Sequence, residues 1–296
     1  MPRLTHGGGP HAWPLLAGSG YVLGRFDCPP HAERWHAVDW IGDQPHVVLP
    51  GTAVRIGAVG EEPGVCTANE VIVYDRDTHY RRAVISGDGD RCTFVAVGDE
   101  LAEELGLGAR GGPRIRRGPC PAPLYVTHRR IRRELEGASP DLLAIDEAVL
   151  AVLAGAVGSA VAPSAERDRP DTGRHRAAVD AVRALIAGEP TRRWRLAELA
   201  AAVHYSPYCL ARMFRRHTGY PIAGYRRELC LRESLPHALE PAADLSELAV
   251  RFGFSSHSHY THAFGRTFGC TPSQARRTAG RSRTDRPAEG RQVLST

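Results

Sequence analysis

One helical unit occurs twice in this chain. Residues 196–219 and 245–269 align: Leu196 with Leu245, Glu198 with Glu247, Ala200 with Ala249, Tyr205 with Phe254 and Ser206 with Ser255. After one inserted residue, Leu210 matches Tyr260, Phe214 matches Phe264 and Gly219 matches Gly269. A unit recurring about fifty residues further on means one supersecondary unit built twice. Each copy spells a short helix, a tight turn and a second helix, with Gly253 tolerating positive φ and Ser206-Pro207 supplying an N-cap before a first-turn proline. That is helix-turn-helix grammar. In the second helix of copy one, Leu210, Met213, Phe214 and His217 form the inward stripe and Tyr208, Ala211, Arg212 and Arg215 the outward one. In copy two Tyr260, Ala263, Phe264 and Phe268 point inward, leaving Ser258, His259, His262 and Arg266 outward. Both outward stripes carry side chains with the reach to read base edges.

Charge separates the same region from the rest. All 38 basic side chains are Arg, a bias that coding composition alone can produce, so their distribution matters more than their identity. Residues 1–174 hold 19 Arg against 23 acidic residues, residues 175–280 hold 15 against 8, and residues 281–296 hold 4 against 2. An acidic front joined to a basic back is expected where one end meets a polyanion.

These motifs carry a resemblance. From about His175 to Thr278 the chain resembles the AraC/XylS family of bacterial transcription regulators. The matching text is Leu-Ala-Glu-Leu-Ala, then Ser206 to Gly219, Gly253-Phe254-Ser255-Ser256-His257-Ser258-His259-Tyr260-Thr261 and Phe268-Gly269-Cys270-Thr271-Pro272-Ser273. The resemblance implies seven helices, a long bridging helix over about 222–239, and two recognition helices entering successive major grooves of double-stranded DNA. It also implies base reading by Tyr208, Ala211 and Arg212 at one site and by His257, Ser258, His259 and His262 at the other. RNA polymerase is an implied partner, and activation the commoner outcome. Three positions depart from the pattern. Pro236 inside the bridging helix predicts a kink or an early end. His204 stands where copy two has Gly253, which a non-glycine occupies at some strain. His262 stands where the family commonly has Arg, which predicts a weaker or pH-dependent contact.

The front half reads differently. Short apolar runs at 21–23, 47–49, 71–74 and 92–97, with Gly, Asp and Pro between them, predict strands, and Gly87-Asp88-Gly89-Asp90 predicts a hairpin turn. Two helices follow between Leu124 and Val161, the second starting near Ser139-Pro140-Asp141. This region is similar, more loosely, to the cupin-like sensing domain of the same family. The expected architecture is a two-domain chain. Residues 1–162 form an all-β cupin-like barrel followed by helices, for effector sensing and dimerisation. Residues 163–174 form a proline-bearing linker, 175–280 an all-α DNA-binding domain with two helix-turn-helix motifs, and 281–296 a disordered tail.

Candidate effector contacts are Cys28, Trp35, His36, Tyr74, Tyr80, Cys92 and Phe94, set against the equal expectation that the aromatics are simply core. A metal site at Cys28, His31, His36 and Cys92 is disfavoured, because residues 21–97 lack the His-x-His pair of metal-dependent cupins; no cofactor is implied. The seven cysteines are odd in number and widely spaced, which suggests neither a disulfide framework nor a zinc ribbon. Spacings of 38, 26 and 28 residues between Cys28, Cys66, Cys92 and Cys120 do not fit a DNA-alkyl acceptor's zinc centre. No uninterrupted run of about 18 apolar residues occurs and the start lacks a signal-like segment, so a cytoplasmic location with no membrane partner is expected. The expected function is an effector-responsive, sequence-specific transcription regulator and not an enzyme. The weighed alternatives are an architectural DNA-binding protein and a cupin-type enzyme with an accessory helical domain.

Overall fold

The computed structural model describes residues 11–107, 114–137, 139–161 and 173–281. Most of the expected linker and all of the expected tail after Arg281 therefore lie outside the described residues.

Ten strands, all paired antiparallel among the described residues, make two sheets. They are β1 (His11–Gly18), β2 (Tyr21–Cys28), β3 (Val38–Trp40), β4 (His46–Pro50), β5 (Val54–Ala58), β6 (Gly64–Cys66), β7 (Glu70–Tyr74), β8 (His79–Val84), β9 (Asp90–Val97) and β10 (Ile115–Pro119). The larger sheet runs β1-β2-β9-β4-β7-β10 and the smaller β3-β8-β5-β6. The apolar runs are unbroken because the central strands are covered on both faces. Val47, Leu49, Val71, Val73, Val95 and Val97 join the core beneath the helices, while Val48, Ile72, Tyr74 and Phe94 face the small sheet.

The expected closed barrel is corrected to two layered sheets. Among the described residues no strand hydrogen-bonds across from one sheet to the other, and helices cover two of the edges instead: a long helix lies on β10 and the first helix of the basic region on β6. The expected hairpin at 87–90 is also corrected. β8 pairs with β3 and β5, whereas β9 pairs with β2 and β4, so this turn carries the chain from the small sheet to the large one. Gly89, at φ +78, has room for no side chain there, since a Cβ would sit 2.1 Å from the Cys28 carbonyl oxygen.

Between the sheets lies a buried charge. Arg82 on β8 donates to Asp39 at 2.9 Å and to Asp90 at 3.0 Å, tying β8 to β3 and to β9 of the opposite sheet. Its guanidinium lies 4.6 Å from the Phe26 ring centroid and 5.5 Å from that of Trp35.

After α1 (Asp99–Glu104) come α2 (Ala122–Leu135) and α3 (Leu142–Val161), the two helices expected here. Helix α3 packs Ile145, Val149, Val152, Leu153, Ala156, Val157 and Ala160 onto the large sheet, and its Asp146 accepts a hydrogen bond from Tyr21. Its segment Leu142–Ala160 is long and apolar enough to cross a membrane by length and composition, although Asp146 and Glu147 interrupt its apolar run. Here a third of that segment is buried within the protein.

The basic region contributes α4 (Gly173–Gly188), α5 (Leu196–Ala202), α6 (Pro207–Thr218), α7 (Ile222–Ala238), α8 (Leu245–Arg251), α9 (His257–Phe268) and α10 (Pro272–Arg281). Helix α4 starts at Gly173, inside the stretch expected to be linker. Pro236 sits one turn or less from the end of α7, where the bond it removes belongs to a helix already terminating. The two halves are packed together. On α7, Arg232 is 1% exposed and donates to the carbonyls of Ala68 and Cys120, each at 2.7 Å, and to Glu228 at 2.9 Å. Tyr125 returns a hydrogen bond to the Arg232 carbonyl at 3.0 Å. Beside it Thr67 meets the Tyr225 hydroxyl at 2.9 Å, Asn69 donates to the Tyr225 carbonyl, and Arg183 of α4 pairs with Glu70 at 2.5 Å.

Burial near Asp88 pushes the Glu233 carboxyl at this interface up to about 7 from an ordinary 4.5. The folded state therefore holds a proton that the unfolded chain releases at lower pH, a stabilisation fully present below 4.5 and lost as pH rises through 7. Glu233→Gln is expected to be more stable than the parent by about 1–3 kcal/mol near pH ~8 and to converge on it toward pH ~5. Denaturant midpoints at the two pH values check this, and a pH-independent difference would contradict it.

Candidate nucleic-acid interface

The two copies share their local construction. Helix α6 opens on Ser206, whose hydroxyl accepts from the Cys209 amide at 3.2 Å, with Pro207 in the first turn; α9 opens on Ser256, which accepts from His259 at 3.1 Å. Both close on a left-handed glycine, Gly219 at φ 77 and Gly269 at φ 75, each bonded back four residues at 2.9 Å. The inserted residue of copy two falls in the turn, so the matching N-caps are Ser206 and Ser256, not Ser206 and Ser255.

The turns are built alike as well. Tyr205 donates to the Ala200 carbonyl at 3.0 Å and Phe254 to that of Ala249 at 2.8 Å. His204 adopts φ 59 and Gly253 φ 78, so copy one holds a non-glycine residue in the left-handed region, as its sequence predicts.

The stripes fall as their spacing requires. Leu210, Met213, Phe214, Tyr260, Ala263 and Phe264 are buried, and Tyr225 of α7 meets Phe214 edge-on at 5.4 Å. Tyr260 reaches the Ser234 hydroxyl of the same bridge at 3.0 Å. Outward, Tyr208 is 76% exposed; Arg212, Arg215, His257, Ser258, His259, His262 and Arg266 are exposed and Ala211 half-buried. A concavity of about 870 Å³ brings Tyr208, Ala211, Arg212 and Arg215 from copy one onto the same surface as Ser255 and His259 from copy two. His257, Ser258, His262 and Arg266 line a shallower neighbouring hollow of about 540 Å³. The larger concavity thus joins the outward side of α6 to His259 of α9.

Arg193, Trp194 and Arg226 also line the larger concavity, and periodicity within the second helices cannot find them because they precede α5 or sit on α7. The one visible signal was an aromatic among arginines at 192–195; Arg192 lies 3.8 Å from the centroid of the Trp194 ring. In copy two the imidazoles are partly engaged internally, His259 with Ser255 at 3.0 Å and His257 with Thr261 at 3.4 Å.

The effector candidates sit elsewhere. Cys28, Trp35, Tyr74 and Phe94 are buried and Tyr80 and Cys92 half-buried, packed on one another in the inter-sheet core; the side chain of His36 lies outside the described ones. Their packing around Arg82 is that of core. Burial pushes the Cys28 thiol up and that of Cys66 to about 11, which keeps both protonated and unreactive.

Residues 199–278 match the family model of a helix-turn-helix domain. Over 91 residues the chain is 36% identical to the HTH-type transcriptional regulator GlxA of Rhizobium meliloti (strain 1021), covering 31% of this chain and 27% of that protein. It is 34% identical over 83 residues to the right origin-binding protein of Escherichia coli (strain K12), covering 28% of this chain and 29% of that one. A crystal structure from Chromobacterium violaceum, described as a transcriptional regulator of AraC-type DNA-binding domain-containing proteins, aligns with TM-score 0.34 and 19% identity over 36% of this chain and 96% of its own. The chain spans less than a third of the length of these curated relatives.

The two turns predict opposite responses to the same chemistry. Gly253→Ala places a Cβ at positive φ and 3.1 Å from the Thr191 carbonyl, and is expected to cost about 1–2 kcal/mol. His204→Gly relieves strain at an exposed residue and is expected to lie within about 1 kcal/mol of the parent on the stabilising side. Thermal melts of both variants check the contrast; equal losses would mean the turns are not equivalent.

Proposed function

We propose, from the premise that residues 199–278 are a helix-turn-helix DNA-binding region of the AraC type, that the chain is an effector-responsive, sequence-specific transcription regulator. It reads two successive major grooves through α6 and α9. The observation that carries this is the duplicated outward stripe: two identically capped helices, rigidly held by one bridge, with outward residues of both lining one concavity in the strongly basic part of the chain. Arg212 and Arg215 supply forked donors that match guanine bidentately or pair with phosphate. Tyr208 and Ala211 offer apolar contact, and His257, Ser258, His259, His262 and Arg266 form the second reading surface. RNA polymerase is the partner through which such a protein activates transcription.

A homodimer completes the reading. The outer face of α3 presents Leu143, 72% exposed, with Leu150, Ala151, Ala154 and Gly158 along one stripe, a surface suited to a second copy of the same helix. Dimerisation would double the DNA elements held at once and raise affinity by bivalency.

Arg212→Ala is expected to weaken the specific complex by about 1–3 kcal/mol and relax preference at one base position, with little change on random DNA. Footprinting and competition binding measure both; equal losses on specific and random DNA would leave Arg212 a phosphate contact only. One protomer is also expected to protect two short elements about 34 Å apart. Inserting about five base pairs between them turns the second away and is expected to abolish tight binding, so undiminished affinity would contradict two-groove reading.

A further inference from the structure

Between the two halves, on the far side of the Arg232 linkage, lies a cleft of about 590 Å³, the size of a metabolite site. Its walls belong to different parts of the chain. One carries Arg25 of β2 and His128, Arg129 and Arg132 of α2; the other carries Arg251 of α8 and the ends of α4 and α7. Cationic groups far outnumber acids there, the only carboxylates lining it among the described residues being Asp88 and Glu233. Asp88 is already engaged by Arg91 at 2.8 Å. Arg232 at the interface is saturated by two carbonyls and Glu228.

The remaining cations are under-neutralised. Arg25 and Arg132 reach their nearest carboxylates, Asp27 and Glu136, only at 3.6 Å, beyond hydrogen-bond length. Among the described residues no carboxylate lies within ion-pair distance of Arg129 or Arg251. The Arg129 Nε is buried with no partner, and both ring nitrogens of His128, a residue only 5% exposed, are likewise without one. Buried polar atoms left this way cost stability, and they cluster at the mouth of one cleft. Crowding has a further sign: burial with Arg129 and Arg25 nearby lowers the Arg132 guanidinium from its ordinary value.

We infer that this cleft binds a small organic polyanion, a polycarboxylate or phosphorylated metabolite with at least two negative charges, which bridges Arg129 and Arg132 on one wall to Arg251 on the other. Two charges are required because the guanidiniums line separate walls of the one cleft, and a single carboxylate satisfies one fork only. The site shares no lining residue with the larger concavity of the DNA-facing surface. It nevertheless touches the reading apparatus, since Arg251 and Phe252 immediately precede Gly253, the turn that sets α9. Occupancy therefore acts on the orientation of α9 relative to the sensing half. This inference rests on the regulator reading and gives its effector a chemical class.

Calorimetry on the full chain at matched ionic strength, with citrate and pyrophosphate as probes and no DNA present, tests it. The expected result is saturable one-to-one binding of at least one probe, tighter than about 1 mM. Binding is expected to weaken about tenfold or more in Arg129→Gln and in Arg251→Gln, each of which removes a charge-assisted pair, but not in Arg130→Gln, on the exposed face of the same α2. Two walls are sampled so that poor folding of one variant leaves the other to decide. No saturable binding of either probe, or equal weakening in Arg130→Gln, overturns the site. Saturable binding that leaves affinity for a specific DNA site unchanged overturns the coupling to α9. Because the calorimetry contains no DNA, failure there leaves the Arg212 result standing, and loss of the DNA reading leaves the calorimetric result standing.

Discussion

A buried guanidinium organises this molecule. Arg232 enters the interface from the bridging helix α7 and must find every hydrogen-bond partner inside protein, because an uncompensated buried charge costs several kcal/mol. It finds them in the carbonyls of Ala68 and Cys120, in Glu228 one turn earlier on its own helix, and against the Tyr125 ring at 4.9 Å. Two of these partners come from the β-rich half, so the charge is satisfied only when both halves are docked in one arrangement. The same helix holds both reading units, through Tyr225 on Phe214 and Ser234 on Tyr260. One element thus fixes α6 and α9 to each other and to the β-rich half, and a shift of α7 cannot leave either contact unchanged.

Much of the DNA-facing half was legible from residues alone, because its signals are local. Period-3.6 stripes, serine before helix, glycine after helix and a repeat that aligns with itself act over a few residues, and each appears where the sequence places it. The front half was less legible for a matching reason. Strands β3, β5, β6 and β10 carry short or mixed text, and two of them pair far along the chain: β3 at 38–40 with β8 at 79–84, and β10 at 115–119 with β7 at 70–74. The Gly87–Asp90 stretch has all the residue types of a hairpin, yet the strand after it joins the other sheet, since turn chemistry sets a reversal and not a partner. Arg232 gave no signal either, standing among the arginines of a basic region with nothing local to say that one of them is sealed in an interface.

The aromatic and cysteine residues named as effector contacts illustrate the same limit from the other side. They do converge in space, but around Arg82, which links Asp39 and Asp90 and lies over Phe26 and Trp35. Two of its nitrogens are engaged by those counterions, and Nη2 is buried without a partner. His128 and Arg129 also hold buried nitrogens without partners, on a helix whose sequence, Thr127-His128-Arg129-Arg130-Ile131-Arg132-Arg133, looks like a solvated basic face. Only docking of the second half turns part of that face inward.

Duplication supplied two equal scaffolds, and divergence has made their chemistry unequal. Helix α6 presents Arg212 and Arg215 with Tyr208 fully outward, permanent cations whose forks reach base edges or phosphates without rearrangement. Helix α9 presents Ser258, His259 and His262 with Arg266 alone as a permanent charge, and two of its imidazoles already bond within the helix and its turn. Each of these bonds occupies one ring nitrogen and leaves the other open, so an imidazole there offers a single donor or acceptor where each arginine of α6 offers a five-donor fork. The caps at Ser206 and Ser256 are alike, at 3.2 and 3.1 Å, and the difference lies in the turns, where His204 holds a positive φ that Gly253 takes without strain. The two scaffolds are therefore equal in construction and unequal in charge, with the permanent cations concentrated on α6.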